Sequence, residues 1–172
     1  MRVLGVDPSC RSTGYGVVER GDRGEVSLVK YGTIPVRQRV SLPKTLEIIH
    51  SELKAIMAEF QPDVVSMEAV FYAQNVQSAF KLGAVRGVAM LAAETSGVPV
   101  VEYSTTSIKL AVAGFGRATK ESVQKMVKVA LNMERVPTPD DAADALAAAI
   151  CHINTSGLRE RVEASTVSSV KR

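Results

Sequence analysis

The first part of the chain alternates apolar and polar residues in a pattern that predicts three strands. Residues 2–7 (RVLGVD), 14–20 (GYGVVER) and 25–34 (EVSLVKYGTI) are rich in apolar and β-branched residues. The segment GDRG joins the second strand to the third and is typical of a hairpin turn. The pattern therefore predicts a three-stranded meander that ends at Pro35.

After residue 41 the spacing of the apolar residues becomes helical. Large apolar side chains recur at this spacing from Leu46 to Phe60, and Pro62 ends the predicted helix. Residues 63–68 (DVVSME) and 97–103 (GVPVVEY) predict two further strands, separated by a helix over about 75–96. Three more helices are predicted over about 105–113, 119–131 and 140–153.

The order of these elements predicts an α/β fold. Three meandering strands followed by strands that alternate with helices indicate a mixed five-stranded sheet, with three antiparallel strands, two parallel strands and helices on both faces. Residues 1–154 are expected to form one domain. Residues 155–172 contain several Ser and Thr residues and no aromatic residue, which predicts a disordered tail.

The composition favours a cytoplasmic protein that does not enter a membrane. Hydrophobic residues make up 46% of the 172 residues, but no apolar run has the length of a bilayer span. The N-terminus shows no secretory signal. Cys10 and Cys151 are far apart in sequence, which favours two reduced thiols.

The net charge of +3 says little about partners, whereas the distribution of charge is more informative. Between Thr105 and Arg135 the chain has six basic residues and two acidic ones. This basic segment is a candidate surface for a polyanion such as nucleic acid. A solvated helix face would give the same pattern.

Four acidic residues lie where the predicted topology brings distant segments together. Asp7 and Glu68 each end a predicted strand, so parallel pairing of these strands would place both at one edge of the sheet. Asp141 and Asp144 are three residues apart in the first turns of the last helix and share one side of it. A clustered set of carboxylates without His or Cys favours Mg²⁺ or Mn²⁺ over zinc.

Each acid also has a purely structural explanation. Asp7 is suited to an Asx turn, and Asp141 and Asp144 are suited to capping a helix. Glu68 is harder to explain in this way, because it has no turn to make and its burial without a counter-charge would be costly.

Three segments of the chain resemble the RuvC family of Holliday junction resolvases. They are GVDPSCRSTGYGVV, MEAVFYAQNVQSAFKLGAVRGVA and DDAADALAAAI, and the resemblance extends from Met1 to about Asn154. It implies a ribonuclease H-like fold. It also implies an endodeoxyribonuclease that resolves four-way DNA junctions by symmetric, metal-dependent nicking, in recombination and repair, and leaves 5′-phosphate ends.

The resemblance implies two Mg²⁺ ions in each active site, with Mn²⁺ as an alternative. Carried over by position, the metal ligands and catalytic acids are Asp7, Glu68, Asp141 and Asp144. Lys109 and Lys120 match lysines that the family places beside the scissile phosphate.

The same comparison implies contacts with DNA. Phe71 matches an aromatic residue that acts as a wedge in the family, and Tyr72 follows it. Both rings would stack on bases that are unpaired at the crossover, although anchoring the loop in the core is an alternative. Lys81 and Arg86 are expected to contact the phosphate backbone.

The resemblance also implies protein partners. Gly83 and Gly87 lie four residues apart on one predicted helix, a spacing that allows close approach of another helix. The family resemblance assigns this contact to a homodimer, whereas packing within one chain explains the spacing equally well. The branch-migration proteins RuvA and RuvB are the further partners that the family implies.

Three other functions stay open. Actin-like ATPases and sugar kinases begin with a similar Asp-containing hairpin, but they generally need two related domains. A junction-binding protein without catalysis and an RNA-processing nuclease of the same fold are the other two alternatives.

Overall fold

The computed structural model describes residues 1–36, 40–69 and 76–170, with side chains described as far as residue 157. Within these residues, five strands form one sheet in the order β3-β2-β1-β4-β5. The strands are β1 (Arg2–Asp7), β2 (Ser12–Arg20), β3 (Val26–Pro35), β4 (Val64–Glu68) and β5 (Val100–Tyr103).

The pairing of the strands confirms the predicted mixed sheet. β1 pairs antiparallel with β2, and β2 pairs antiparallel with β3. β4 pairs parallel with β1, and β5 pairs parallel with β4. The carboxyl ends of β1, β4 and β5 therefore lie along the same edge of the sheet.

Five helices accompany the sheet in the part of the chain that the structure describes. They are α1 (Leu42–Phe60), α2 (Val76–Thr95), α3 (Thr105–Ala113), α4 (Lys120–Ala130) and α5 (Asp140–Val170). None of them is both long enough and apolar enough to cross a bilayer.

The helices cover both faces of the sheet, as the sequence predicts. Successive side chains of a strand point to opposite faces, and Val3 packs with α3, α4 and α5. The next residue, Leu4, packs with α1 and α2. Each face thus has its own hydrophobic core.

Helix α5 lies unusually close to the sheet. A Cβ atom on Gly5 would overlap the carbonyl oxygen of Ala145. The buried hydroxyl of Ser66 donates a hydrogen bond of 2.7 Å to the carbonyl oxygen of Ala148. The small residues of β1 and β4 therefore fix the position of α5 over the centre of the sheet.

The last helix is longer than predicted. α5 continues to Val170, whereas the sequence pattern ended it at residue 153 and predicted an irregular tail from residue 155. The sequence contains no proline after Pro139 that would end the helix. The backbone of 155–170 is thus helical rather than irregular, and the division at Asn154 into a domain and a separate tail stays a prediction.

Candidate active site

Asp7 and Glu68 lie at the ends of two adjacent parallel strands. Val6 of β1 is in register with Met67 of β4, so the residues that follow them emerge at the same edge. Glu68 is also in register with Tyr103, the last residue of β5. This edge is where ligand sites occur in open parallel sheets.

Close helix packing brings Asp141 to the same edge. Gly14 is paired with Asp7 in the β1–β2 ladder. A Cβ atom on Gly14 would overlap the carbonyl oxygen of Asp141, which shows that the first turn of α5 rests directly on β2. Asp144 follows within the same turn, on the same side of α5.

The electrostatics of Asp7 show that the four carboxylates share one region. The pKa of Asp7 is raised from 3.8 to about 7, first by burial and then by the charges of Asp144, Asp141 and Glu68 in that order, while the charge of Lys120 lowers it. Like charges act on a pKa in this way only at short range. The structure thus brings together the four acids that the sequence identified.

Lys120, the first residue of α4, neutralises part of this acidic region. Its Nζ atom is 2.9 Å from Oδ2 of Asp144 and 3.1 Å from Oδ2 of Asp140. Gln124 donates a 3.0 Å hydrogen bond to the other oxygen of Asp140. Desolvation opposes the charge on Lys120, but the hydrogen bonds to Asp144 and Asp140 raise its pKa overall. Lys120 therefore stays positively charged beside the carboxylates.

Glu68 is held by contacts to both its side chain and its main chain. The hydroxyl of Thr105 donates a hydrogen bond to Oε1 of Glu68. Arg86 donates a 2.5 Å hydrogen bond to the carbonyl oxygen of Glu68 and forms an ion pair with Glu102. Desolvation by burial lowers the pKa of Arg86, although the charge of Glu68 opposes this shift.

Arg86 does not have the exposure expected of a phosphate contact. Its side chain is only 13% exposed and lies against the strand ends. Lys81, on the same helix, is exposed to solvent. Residues five positions apart lie on different sides of a helix. This is why the side chain of Lys81 is exposed and that of Arg86 is largely covered.

The remaining predicted residues divide between described and undescribed parts of the chain. Lys109 is half-buried on α3, one turn after Thr105, and so shares the helix face that contacts Glu68. Phe71 and Tyr72 lie outside the described residues, so the predicted contacts with bases stay predictions.

The donor set fits hard divalent cations, but its side chains are not arranged around one. Four carboxylates whose charges converge on Asp7 are the ligand chemistry of Mg²⁺ and Mn²⁺. In the described part of the chain, however, no three carboxylate, His or Cys side chains are placed to hold a metal ion. The contacts of Lys120 with Asp144 and of Thr105 with Glu68 turn these two carboxylates toward protein donors. Binding of an ion would require these side chains to reorient.

Three residues at the site could not be identified from the sequence. Thr105, Asp140 and Glu102 contact Glu68, Lys120 and Arg86 respectively. The signal that was available for Thr105 and Glu102 is topological: both lie at the carboxyl end of β5, which the parallel sheet places beside β4.

Comparison with known proteins gives consistent matches over nearly the whole chain. The family model described as "Crossover junction endodeoxyribonuclease RuvC" matches residues 3–152. The protein of that name from Syntrophomonas wolfei is 41% identical over 169 residues, which are 98% of each chain.

Two solved structures are similar in both fold and sequence. The structure of Thermus thermophilus RuvC has a TM-score of 0.82 and 30% identity, with 91% of this chain and 95% of that chain covered. The T. thermophilus RuvC complex with Holliday junction substrate has a TM-score of 0.84 and 28% identity, with coverage of 92% and 96%.

Proposed function

The chain belongs to the RuvC family of crossover junction endodeoxyribonucleases, and we propose that it cuts DNA with the acidic residues at the ends of β1 and β4 and at the start of α5. It is a metal-dependent DNA endonuclease that binds four-way junctions and resolves them. The finer proposal is that it places two symmetric nicks in the junction and leaves 5′-phosphate and 3′-hydroxyl ends.

The proposed catalytic centre consists of Asp7, Glu68, Asp141 and Asp144, which hold two Mg²⁺ ions, with Mn²⁺ as a substitute. When bound, the ions supply Lewis-acid activation of the attacking water and charge for the leaving oxygen. The observation that carries this proposal is the meeting of the four acids at one edge of the sheet, since β1 and β4 are parallel neighbours and the first turn of α5 rests on Gly14 beside Asp7. The raised pKa of Asp7 supports it. Such mutual repulsion is relieved by cations of high charge density.

Two lysines supply positive charge at the edge of this centre. Lys120 is hydrogen-bonded to Asp144 and would be released from it if Asp144 turned toward a bound ion. Its charge then offsets that of the scissile phosphate and the charge that develops on it in the transition state. Lys109 is proposed to do the same from α3, where it shares a helix face with Thr105.

The chain is proposed to act as a homodimer through α2. This helix carries an exposed stripe, in which Phe80 is 76% exposed and Leu91 is 53% exposed. Between them, Cβ atoms on Gly83 and Gly87 would meet no atom of the described residues within 4 Å, so packing against those residues does not require glycine at either position. Two such stripes approach closely across a two-fold axis, which matches the symmetry of a four-way junction.

The remaining expectations belong to the same proposal. Phe71 and Tyr72 stack on bases at the crossover, and Lys81 contacts the phosphate backbone. RuvA and RuvB deliver the junction by branch migration, and the protein works in the cytoplasm. Family membership supports each of these expectations.

A nicking assay tests the proposed centre. Purified wild-type protein and Asp7→Asn are incubated with a labelled four-way junction and with a linear duplex of the same sequence, with and without Mg²⁺. We expect the wild type to cut only the junction and only with the ion, and Asp7→Asn to bind the junction equally well without cutting it.

The outcomes separate the alternatives. Normal nicking by Asp7→Asn would contradict the proposed metal centre. Binding without cutting by the wild type would favour a non-catalytic junction-binding protein, and preferential cutting of a matched RNA would favour an RNA-processing nuclease. The family match over residues 3–152 favours a crossover junction endodeoxyribonuclease over an actin-like ATPase.

A further inference from the structure

A largely covered arginine connects α2 to the ends of two strands at the candidate active site. Nη1 of Arg86 donates to the carbonyl oxygen of Glu68 at 2.5 Å, and Nη2 is paired with the carboxylate of Glu102. The Arg86 side chain is 13% exposed, whereas that of Glu102 is 40% exposed. Both ends of the guanidinium fork are therefore used by the protein itself.

The surrounding structure leaves Arg86 little freedom to turn toward solvent. Its neighbour in sequence, Val85, is fully buried, and Ala89 one turn later is 2% exposed, so this side of α2 is fixed against the core. The amide of Ala69 donates a 2.7 Å hydrogen bond to the carbonyl oxygen of Tyr103, which continues the β4–β5 ladder past Glu68. Arg86 donates to the carbonyl oxygen of Glu68, the last residue of β4, in a partly buried position.

We propose that Arg86 is a positioning residue that fixes the direction in which Glu68 leaves β4, and that it is not a DNA contact. The inference rests on the proposed function, in which Glu68 holds a divalent ion. Arg86 holds the main chain of Glu68, while Thr105 holds one oxygen of its carboxylate. Groups that orient a metal ligand in this way contribute to metal affinity without touching the metal.

The chemistry of the contact requires arginine. A guanidinium donates to two acceptors in fixed directions, whereas a lysine ammonium is a flexible point charge. Lysine at position 86 would retain the positive charge but would not hold both Glu68 and Glu102 in place. An Arg86→Lys variant therefore separates positioning from simple charge.

Binding of Mn²⁺ to the full-length protein without DNA tests the proposal, measured by electron paramagnetic resonance. We expect Arg86→Met to weaken Mn²⁺ binding by about 10–100-fold, the usual effect of losing such a supporting group. Arg86→Lys should give an intermediate loss. Arg23→Met is the matched control, because Arg23 is an exposed arginine in the β2–β3 hairpin at the opposite end of the sheet.

Junction binding in EDTA provides the contrasting measurement. We expect Arg86→Met to bind the junction within about twofold of the wild type, since both ends of the guanidinium are held by Glu68 and Glu102, whereas Lys81→Met should bind more weakly. Unchanged Mn²⁺ affinity together with weakened junction binding in Arg86→Met would overturn the proposal and make Arg86 a phosphate contact.

Two further variants keep the test decisive. If Arg86→Met does not fold, Glu102→Ala removes one of the two partners that hold the guanidinium, and it should weaken Mn²⁺ binding severalfold; unchanged affinity would overturn the proposal. Glu68→Gln tests separately whether Glu68 holds a divalent ion, which the proposed role of Arg86 requires. Unchanged Mn²⁺ affinity in Glu68→Gln would refute the metal centre itself, whereas loss in Glu68→Gln but not in Arg86→Met would refute only the role of Arg86.

Discussion

Asp7 sets the electrostatic character of the site at the scale of a single residue. Its carboxylate is partly buried at the end of β1, and its pKa is raised to about 7 by burial and by Asp144, Asp141 and Glu68. An acid with a higher pKa in the folded state binds more protons when folded than when unfolded. Its ionisation therefore lowers stability as the pH rises from the unfolded value of 3.8 toward 7.

The first prediction concerns the pH dependence of stability. In EDTA at pH 8, Asp7→Asn should raise the free energy of unfolding by on the order of 2–4 kcal/mol, because it removes a buried charge that repels its neighbours. At pH 4 the two proteins should differ much less, because Asp7 is then protonated in the folded wild type. Urea denaturation at several pH values measures the difference, and a stabilisation that does not grow with pH would contradict the assignment.

The second prediction concerns Lys120. Replacing it with Met should lower the single-turnover cleavage rate by about 10²–10³-fold, as expected for loss of one transition-state charge partner. Junction affinity should change far less. Lys125→Met is the control, since Lys125 is exposed on the same helix and should affect binding at most. Equal losses of cleavage and binding in Lys120→Met would indicate an ordinary phosphate contact.

The acids at this scale could be predicted from the sequence, but their partners could not. Asp7 and Glu68 end apolar strands, and the spacing of Asp141 and Asp144 places them on one helix side, which makes all four candidates. Local pattern left turns and helix caps open as explanations, and the family resemblance supplied their assignment as metal ligands. The contacts Lys120–Asp140 and Arg86–Glu102 join residues on different elements. Arg86 in particular was predicted at the DNA surface, because sequence spacing does not report which side of α2 meets the sheet.

At the scale of elements, the site is made by the close approach of α5 to β1 and β2. Gly14 allows this approach, because any side chain there would overlap the main chain at Asp141. The strands and helices themselves were predicted well from hydrophobic period, with boundaries within a few residues. The end of α5 was missed, because polar Ser and Thr residues resemble a tail in composition even where the backbone is helical.

The third prediction tests the close packing of α5 on β2. Gly14→Ala should destabilise the protein by about 1–3 kcal/mol, the typical effect of overpacking, and it should also slow cleavage by displacing Asp141. Urea denaturation and the nicking assay measure the two effects. Gly83→Ala is the control, because a Cβ there meets no atom of the described residues within 4 Å and stability should not fall. Equal stability of the two variants would contradict the packing described.

At the scale of the whole molecule, the candidate active site and the proposed dimer surface lie on different elements. The acidic site lies at the edge formed by the ends of β1, β4 and β5, and the exposed stripe of α2 faces away from the core. Sequence spacing alone left Gly83 and Gly87 open to packing within one chain or between two chains. Among the described residues, a Cβ at either position would meet no atom within 4 Å, which supports the proposed contact with a second copy.

The fourth prediction concerns assembly. Gly87→Glu should convert the dimer to a monomer in sedimentation experiments at micromolar concentration, because it places a charge in the centre of the stripe. The fold should persist by circular dichroism, since the new side chain meets open space in one chain. Ala58→Glu, on an exposed position of α1, is the control. A wild type that sediments only as a monomer would contradict the proposed dimer.

The most direct test of the four-carboxylate centre is anomalous X-ray diffraction from crystals grown with Mn²⁺ and a four-way junction. We predict manganese peaks within coordination distance of Asp7, Glu68, Asp141 and Asp144, with Lys120 moved from Asp144 toward the scissile phosphate. Manganese bound elsewhere, or Lys120 still paired with Asp144 at saturating Mn²⁺ in a cleavage-competent protein, would contradict the proposed centre.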